Sequence, residues 1–403
     1  MIIIAFLVLG LFRLYPYNNG LEGMLGSELN DDWVRYARLG MDIKRNGLEI
    51  SSVKGPYDWP AGFLYNYFVA VCFLIFGENL MPIYLIQHLM VGLSIALVYW
   101  TFKDRMSSIA AILFLFAMSG FAVLDMCKYY VIRLLSENLL FFIIALFFFF
   151  FVRGFTRNDL RMQLVSAFLV GLAMLTRPNL FLYGGILIIP VAGYYLKKSK
   201  KGILYIFLFM LIMGSTASLL GLRNYSVCGK WYILPTAKVE GQPDGLLRKH
   251  HHIPKSIDLS NTDAPVYAKL NKINENFGPY LEYLRQEPMV FVGHYVKNIL
   301  FCFGFAPLLD EDFRLRPHWI LMWIGYFAYL ISRIIKKARM EIWEAAIHLY
   351  LALYIISLVA VARVQSYGFR YMLPLTNFVL FFFFVFFDEN IVKRWFRRYT
   401  LER

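Results

Sequence analysis

The segment LLSENLLFFIIALFFFFFV, residues 134–152, joins a short polar start to a long run of apolar side chains. Such a run approaches the roughly 20 helical residues that a bilayer crossing needs. Similar runs recur along nearly the whole chain of 403 residues, of which 59% are hydrophobic, and this share is too large for the interior of a water-soluble domain. The sequence therefore predicts an all-α polytopic membrane protein with a single integral membrane domain, residues 1–403.

The formal charge of +14 comes mainly from basic residues in short segments between apolar runs. This pattern is typical of cytoplasmic loops, and it argues against nucleic acid as a partner. The basic clusters are Lys103/Arg105, Arg153/Arg157/Arg161, Lys197/Lys198/Lys200/Lys201, Arg333/Lys336/Lys337/Arg339 and Lys393/Arg394/Arg397/Arg398.

If all the basic clusters face the cytoplasm, an even number of crossings must separate each neighbouring pair. The runs 61–77 and 289–307 then lie at the outer leaflet as juxtamembrane helices, and about ten spans remain. The scheme has two large outer segments, 16–80 and 223–316, and a basic cytoplasmic tail, 388–403. The alternative, in which both runs cross and about twelve spans result, stays open.

The N-terminal apolar run is interpreted as a retained first span. A secretory signal peptide would carry a basic stretch before the apolar run and a small-residue cleavage site after it, and neither is present. The phenylalanine runs within spans are interpreted as lipid-facing. Four cysteines lie far apart along the chain, which indicates packing residues rather than a metal site or disulfide framework. Three consecutive histidines, 250–252, are interpreted as a solvated loop.

Polar side chains that the topology does not explain gather at the outer ends of the predicted spans. A transporter would instead place ionisable groups near the midplane of the bilayer. The pattern therefore favours a site at the outer membrane surface. Its candidate members are Asp31, Asp32, Lys54, Arg133, Glu137, Arg177, Arg223, Asn224 and Arg370.

The first outer segment carries the candidate catalytic carboxylates. A helix that begins near Asn30, a favourable N-cap, places Asp32, Arg35 and Tyr36 on one face. Asp31 has Arg35 four residues further on, and this spacing predicts a surface ion pair. Asp32 is then the freer carboxylate of the two.

Arginines at the outer ends of the spans suit a lipid-linked phosphate, because a guanidinium binds phosphate oxygens in bidentate fashion and stays charged. The alternative for Arg133 and Arg177 is that each only marks the end of a span by reaching the headgroups. Glu137 lies at i+4 from Arg133 and is expected to pair with it.

Several of these segments, taken in order, resemble the GT-C glycosyltransferases. The nearest resemblance is to the bacterial branch related to protein O-mannosyltransferases and to the lipid A aminoarabinose transferase. The segments are Asp32-Trp33-x-x-Tyr36, Gly55-Pro56-Tyr57, Tyr65-Asn66-Tyr67-Phe68, Phe76-Gly77, Ser136-Glu137-Asn138, Leu175-Thr176-Arg177-Pro178-Asn179, Arg223-Asn224-Tyr225 with Gly229, and Arg370-Tyr371-x-x-Pro374.

The resemblance implies an inverting transfer of a sugar from a polyprenyl-phosphate donor to a hydroxyl of a glycan, lipid or protein. It places the reaction at the outer face of the bacterial cytoplasmic membrane. It also implies that Asp32 is the general base, with Asp31 as the alternative. A divalent metal, Mg²⁺ or Mn²⁺, could assist, but no cofactor is demanded. The residues implied to bind the donor phosphate or substrate are Arg177, Arg223, Asn224, Tyr225, Arg370, Tyr371, Lys54, Tyr57, Arg133 and Glu137.

Two departures leave the donor sugar open. Trp33 stands where many relatives have a glutamate, and Trp59 stands where the aminoarabinose branch has a lysine before the proline. Two other classes of function also stay open. One is a transporter or flippase of lipid-linked sugars, and the other is a non-catalytic subunit of an envelope assembly.

Overall fold

The computed structural model describes residues 5, 6, 8, 32–46, 63–123, 133–177, 180–198, 200–228, 231, 289, 296, 299, 300, 302–304, 317–361 and 372–393. Every regular element in these ranges is helical, which confirms the predicted all-α class. The α-helices are α1 (Asp32–Arg45), α2 (Phe63–Phe76), α3 (Leu80–Phe102), α4 (Ser108–Phe121), α5 (Ser136–Arg157), α6 (Leu160–Thr176), α7 (Leu180–Lys198), α8 (Gly202–Ala217), α9 (Leu219–Cys228), α10 (Pro317–Ile335), α11 (Ile342–Val361) and α12 (Leu373–Phe387).

Among the described residues, six helical segments are long and apolar enough to cross a bilayer by length and composition: Leu80–Arg105, Ser136–Arg157, Leu180–Lys198, Gly202–Arg223, Pro317–Ile335 and Pro374–Val392. Four shorter apolar helices, in α2, α4, α6 and α11, accompany them. These helices coincide with predicted apolar runs between residues 61 and 387. The number of crossings stays a prediction. The predicted first span, the run 289–307 and most of the segment 223–316 fall largely outside the described residues.

The hairpin of α5 and α6 shows how local sequence closes one of the basic turns. Asn158 ends α5 in the left-handed conformation, at φ 55°, which asparagine adopts more readily than most residues. The Asp159 side chain then caps α6 by accepting hydrogen bonds from the next turn's backbone N–H groups. A Cβ added at Gly154 would lie 2.9 Å from the backbone nitrogen of Gln163. The small residue therefore lets the two helices approach closely.

The phenylalanine runs lie mostly inside the bundle, so the prediction that they face lipid is wrong. Phe148 is fully buried, and its ring centroid lies 4.6 Å from that of Phe378. Phe381 stacks on Phe102 with centroids 4.1 Å apart. Hydrophobicity alone does not separate the two environments, because lipid tails are as apolar as the side chains of a neighbouring helix. Of the cysteines, Cys72 and Cys302 are buried free thiols, consistent with packing residues.

One end of the bundle gathers three of the basic loops predicted to be cytoplasmic. Asp388, on a π-helical turn after α12, accepts a 3.1 Å hydrogen bond from the backbone nitrogen of Ser107. The Ser107 hydroxyl donates a second hydrogen bond to it. The Arg105 guanidinium lies 4.4 Å from the ring centroid of Trp343, the second residue of α11, which follows the basic loop after α10. On α5, the arginines of the basic turn and Glu137 lie at opposite ends of the helix.

Candidate active site at the start of α5

The helix that begins at Asp32 packs side by side with α2, and the two helices run in the same direction. The rings of Tyr36 and Tyr65 meet edge to face, with centroids 4.9 Å apart. One turn further along both helices, Gly40 lies against Val69, where an added Cβ would be only 2.5 Å from the Val69 Cγ1 atom. From the first contact to the second, the residue numbers rise by four in both helices. The N-termini of α1 and α2 therefore lie next to each other. Neighbouring helix N-termini favour a bound anion.

A chain of polar contacts connects α1 to the start of α5 and to the end of α6. The Tyr36 hydroxyl donates to the Ser136 Oγ atom at 3.3 Å, and the Ser136 hydroxyl donates to Glu137 Oε2 at 3.4 Å. The other carboxylate oxygen, Oε1, forms an ion pair with the Arg177 guanidinium. Four side chains, from α1, from α5 and from the C-cap of α6, are thereby joined in one polar thread.

The ends of the helices explain why this pair of charges lies where it does. Glu137 belongs to the first turn of α5, where the helix dipole favours a negative charge. Arg177 is the C-cap residue of α6, where the dipole favours a positive charge. The Glu137 side chain is 0% exposed, whereas the Arg177 side chain is 12% exposed. The Arg177 side chain is therefore the more exposed member of the pair.

The helical i+4 pair expected between Arg133 and Glu137 is wrong. α5 begins only at Ser136, so Arg133 precedes the helix and is exposed, and the i+4 rule applies only within one helix. Glu137 instead forms an ion pair with Arg177, which lies 40 residues further along the chain.

A second polar thread involves residues that sequence reasoning missed. The Tyr65 hydroxyl donates to the Gln87 Oε1 atom at 2.6 Å, and the Gln87 amide donates to the backbone carbonyl of Arg133 at 3.0 Å. Gln87 is fully buried in α3. An amide within an apolar run was the available signal, because buried amides need hydrogen-bond partners. This thread ties α2 to α3 and to the segment that leads into α5.

Arg223 lies fully buried on α9. Burial raises the pKa of Tyr67 on α2 to about 12, and the positive charge of Arg223 opposes that rise, so the two side chains interact electrostatically. Leu175 and Leu220 pack in one apolar cluster with Phe63 at the start of α2. Arg177 and Arg223 follow those leucines by two and three residues. Both arginines therefore belong to the region where α2 begins.

The structure describes the other predicted site residues to different extents. Within α1, Tyr36 is buried and Arg35 is exposed, and Asp32 is the first residue of the helix. Tyr225 on α9 is 58% exposed. Only the backbone of Asp32 and of Asn224 is described. Outside the described residues are Asp31, Lys54, Tyr57, Arg370, Tyr371 and the three histidines 250–252.

Asn66, in the segment of α2 that carries the resemblance, is fully buried. Neither its amide nitrogen nor its oxygen has a hydrogen-bond partner among the described residues.

As for a metal, the described part of the chain contains no group of three or more histidine, cysteine, aspartate or glutamate side chains that could hold an ion.

Comparison with known proteins first defines the class of this fold. With ArnT from Cupriavidus metallidurans bound to undecaprenyl phosphate, the structure gives a TM-score of 0.53 at 13% sequence identity, over 98% of this chain and 61% of that chain. With the oligosaccharyltransferase of Archaeoglobus fulgidus in complex with Zn and sulfate, the TM-score is 0.53 at 13% identity, over 98% of this chain and 50% of that one. The chain has the GT-C fold, which confirms the resemblance predicted from the sequence.

The matching family is narrower than the fold class. Residues 59–219 match the sequence model of the family described as dolichyl-phosphate-mannose-protein mannosyltransferase. The matched range runs from just before α2 to the start of α9, and it includes Glu137 and Arg177. A search of curated protein sequences finds no match. This chain spans about three fifths of the length of ArnT and half that of the oligosaccharyltransferase.

Proposed function

We propose that this protein is an inverting glycosyltransferase that moves a sugar from a polyprenyl-phosphate donor to an acceptor hydroxyl. The observation that carries the proposal is the polar thread from Tyr36 through Ser136 and Glu137 to Arg177. It joins the helix that begins at Asp32 to Arg177, whose side chain is partly exposed. A carboxylate that accepts a proton and a cation that binds phosphate are the two groups that such a transfer needs.

The reaction is a displacement at the anomeric carbon of the donor sugar. The Asp32 carboxylate takes the proton of the acceptor hydroxyl, whose oxygen forms the new bond to that carbon. The bond from the same carbon to the phosphate oxygen breaks, and the lipid phosphate leaves with the electron pair. Attack from the face opposite the leaving group inverts the configuration.

Arg177 and Arg223 stabilise the negative charge that grows on the departing phosphate. Fixed cations in a site shielded from water lower the energy of such a transition state more than they would in bulk solvent. Arginine also keeps its charge when buried and offers two parallel donors to phosphate oxygens. The adjacent N-termini of α1 and α2 add to the positive potential in this region. Lys54, Arg133 and Arg370 are proposed as further donor contacts.

The likeness to known proteins supports a lipid-linked donor. ArnT of the matching fold is bound to undecaprenyl phosphate in its crystal structure, and the matching family is described by a dolichyl-phosphate-linked mannose. Both descriptions share a polyprenyl phosphate. We propose that the acceptor is a glycan, lipid or protein, and that transfer takes place at the outer face of the bacterial cytoplasmic membrane. Mg²⁺ and Mn²⁺ are proposed as cofactors to be tested rather than as required groups.

The test is sugar transfer by the purified protein in detergent. A panel of radiolabelled polyprenyl-phosphate sugars is offered with a cell-envelope extract as acceptor, with and without EDTA. Wild type is compared with Asp32→Asn, Asp31→Asn and Arg177→Lys. We expect a labelled product with wild type, no product with Asp32→Asn, and a reduced rate with Arg177→Lys because lysine lacks the bidentate fork.

Two other results would change the assignment. If only Asp31→Asn abolished transfer, the base would be Asp31. If no variant and no wild-type sample formed product although donor bound, the transporter or flippase function would be favoured, and donor movement across reconstituted vesicles would then be the measurement.

A further inference from the structure

In this structure Glu137 makes an ion pair with Arg177, the arginine that the proposed function assigns to the donor phosphate. We infer that Glu137 is a positioning residue that exchanges with the phosphate. Before the donor arrives, the carboxylate holds the guanidinium; when the lipid phosphate binds Arg177, it takes over that guanidinium from Glu137. The inference rests on the proposed function and deepens it.

The exposure of the pair sets the direction of the exchange. The Glu137 side chain is 0% exposed and the Arg177 side chain is 12% exposed, so an anion from the membrane surface reaches the arginine side chain before the carboxylate. The donor phosphate, a diester of the sugar and the lipid, carries one negative charge as the carboxylate does, and its two non-bridging oxygens match the guanidinium fork equally well. The donor phosphate can therefore compete for Arg177 without Glu137 leaving its buried position.

After the exchange, the carboxylate still has favourable surroundings. Glu137 lies in the first turn of α5, where the helix dipole and the first backbone N–H groups favour an anion. The hydroxyl of Ser136 already donates to its second oxygen. Without these groups, separation of a buried ion pair would leave an uncompensated charge and would oppose donor binding.

The same exchange reaches the proposed base through α1. The hydrogen bonds from Tyr36 to Ser136 and from Ser136 to Glu137 are 3.3 and 3.4 Å long, longer than the usual O–H···O distance of about 2.7–2.8 Å. Once Arg177 turns to the phosphate, the charge on Glu137 acts more strongly on Ser136, which shortens both bonds. Tyr36 is one helical turn, about 6 Å along the axis, from Asp32. Donor binding thereby fixes the orientation of α1 and of its first residue.

The experiment separates donor binding from turnover. Undecaprenyl phosphate is the binding probe, and the donor that gives product in the transfer assay is used at saturation for turnover. The variants are Glu137→Gln and Tyr36→Phe, measured in detergent beside wild type. The matched control is Glu344→Gln, because Glu344 is also a nearly buried carboxylate in an ion pair, with Arg333 at 2.7 Å, but lies near the basic loops.

Glu137→Gln removes the anion that competes for Arg177. We expect it to bind undecaprenyl phosphate about five- to tenfold more tightly, because the phosphate no longer has to displace the carboxylate from Arg177. We expect its turnover to fall about tenfold because the thread to α1 loses its charge. Tyr36→Phe should leave the binding constant within about twofold of wild type. It should lower turnover by about the same factor as Glu137→Gln. Glu344→Gln should alter neither quantity.

Weaker or unchanged binding by Glu137→Gln would overturn the inference, because it would show that the carboxylate only holds Arg177 in place. If that variant did not fold, Glu137→Asp offers the same test, since it keeps the charge but shortens the reach to Arg177. Failure of the proposed function looks different: wild type itself would neither bind undecaprenyl phosphate nor form product. Binding and transfer by wild type with no tightening in either Glu137 variant would refute the exchange alone.

Discussion

Removal of the Arg177 guanidinium tests both the energetics and the chemistry of the site. Arg177→Met keeps an unbranched apolar side chain at the end of α6 but removes the guanidinium that pairs with the Glu137 carboxylate, which is 0% exposed. Breaking one partner of a buried pair costs about 3–5 kcal/mol. Because the start of α5 and Ser136 still favour the carboxylate, we expect the lower end of that range, about 3 kcal/mol.

The double variant Arg177→Met/Glu137→Gln separates the two roles. It removes both charges, so its unfolding free energy should return to within about 1 kcal/mol of wild type. Sugar transfer should be lost in Arg177→Met and in the double variant alike, because the phosphate-binding cation is absent in both. Stability is measured by reversible unfolding in mixed detergent micelles followed by tryptophan fluorescence, and transfer by the radiolabel assay.

The control pair is Arg333→Met and Arg333→Met/Glu344→Gln near the basic loops. Its side chains are more exposed, at 25% and 8%, so the loss in the single variant should be smaller, and transfer should persist in both. The reasoning is refuted if Arg177→Met is as stable as wild type, or if the double variant regains transfer. The first result would mean that Glu137 does not need Arg177, and the second that Arg177 does not bind the phosphate.

Three further predictions concern the packing around the site and the opposite end of the bundle. Gly40→Ala should lower turnover and destabilise the protein by about 1–3 kcal/mol, because the new Cβ would lie 2.5 Å from Val69; Gly40→Ala/Val69→Ala should recover much of both in the same assays. Gln87→Leu removes the hydrogen bonds from Tyr65 and to the Arg133 carbonyl and leaves the Tyr65 hydroxyl buried without this acceptor, so thermal unfolding should show a loss of about 1–3 kcal/mol. Asp388→Asn should lower the free energy of unfolding by about 1–2 kcal/mol, since a buried acceptor of hydrogen bonds loses its charge. Initial rates of sugar transfer should stay at the wild-type value, because the residue lies far from the proposed site.

Prediction from sequence succeeded where the signal is local. Apolar runs placed the helices, and the start of α1 was predicted within two residues of Asp32 from its capping pattern. Polar residues at the ends of the runs singled out Glu137, Arg177 and Arg223 as site candidates before any contact between them was known. The order of short segments along the chain indicated the GT-C class, and the fold confirms that class.

Prediction failed where the outcome depends on which distant helix is the neighbour. Glu137 was expected to pair with Arg133 by helical spacing, but α5 starts too late for that pair, and α6 supplies Arg177 instead. Gln87 was overlooked inside an apolar run although it connects α2, α3 and the approach to α5. Phenylalanine runs were expected to face lipid, yet they fill the interior between α5, α11 and α12.

The sequence by itself determined the membrane class, the positions of the helices, the end of the bundle that gathers basic loops and the residue types available for phosphate chemistry. Each of these follows from hydrophobicity, capping or charge within a window of a few turns of helix. Tertiary structure alone decided that α1 and α2 run in parallel at Gly40, that the phenylalanines are buried, and that Tyr36, Ser136, Glu137 and Arg177 form one thread. Those outcomes depend on contacts between residues far apart in the chain, which only the packing of the helices brings together.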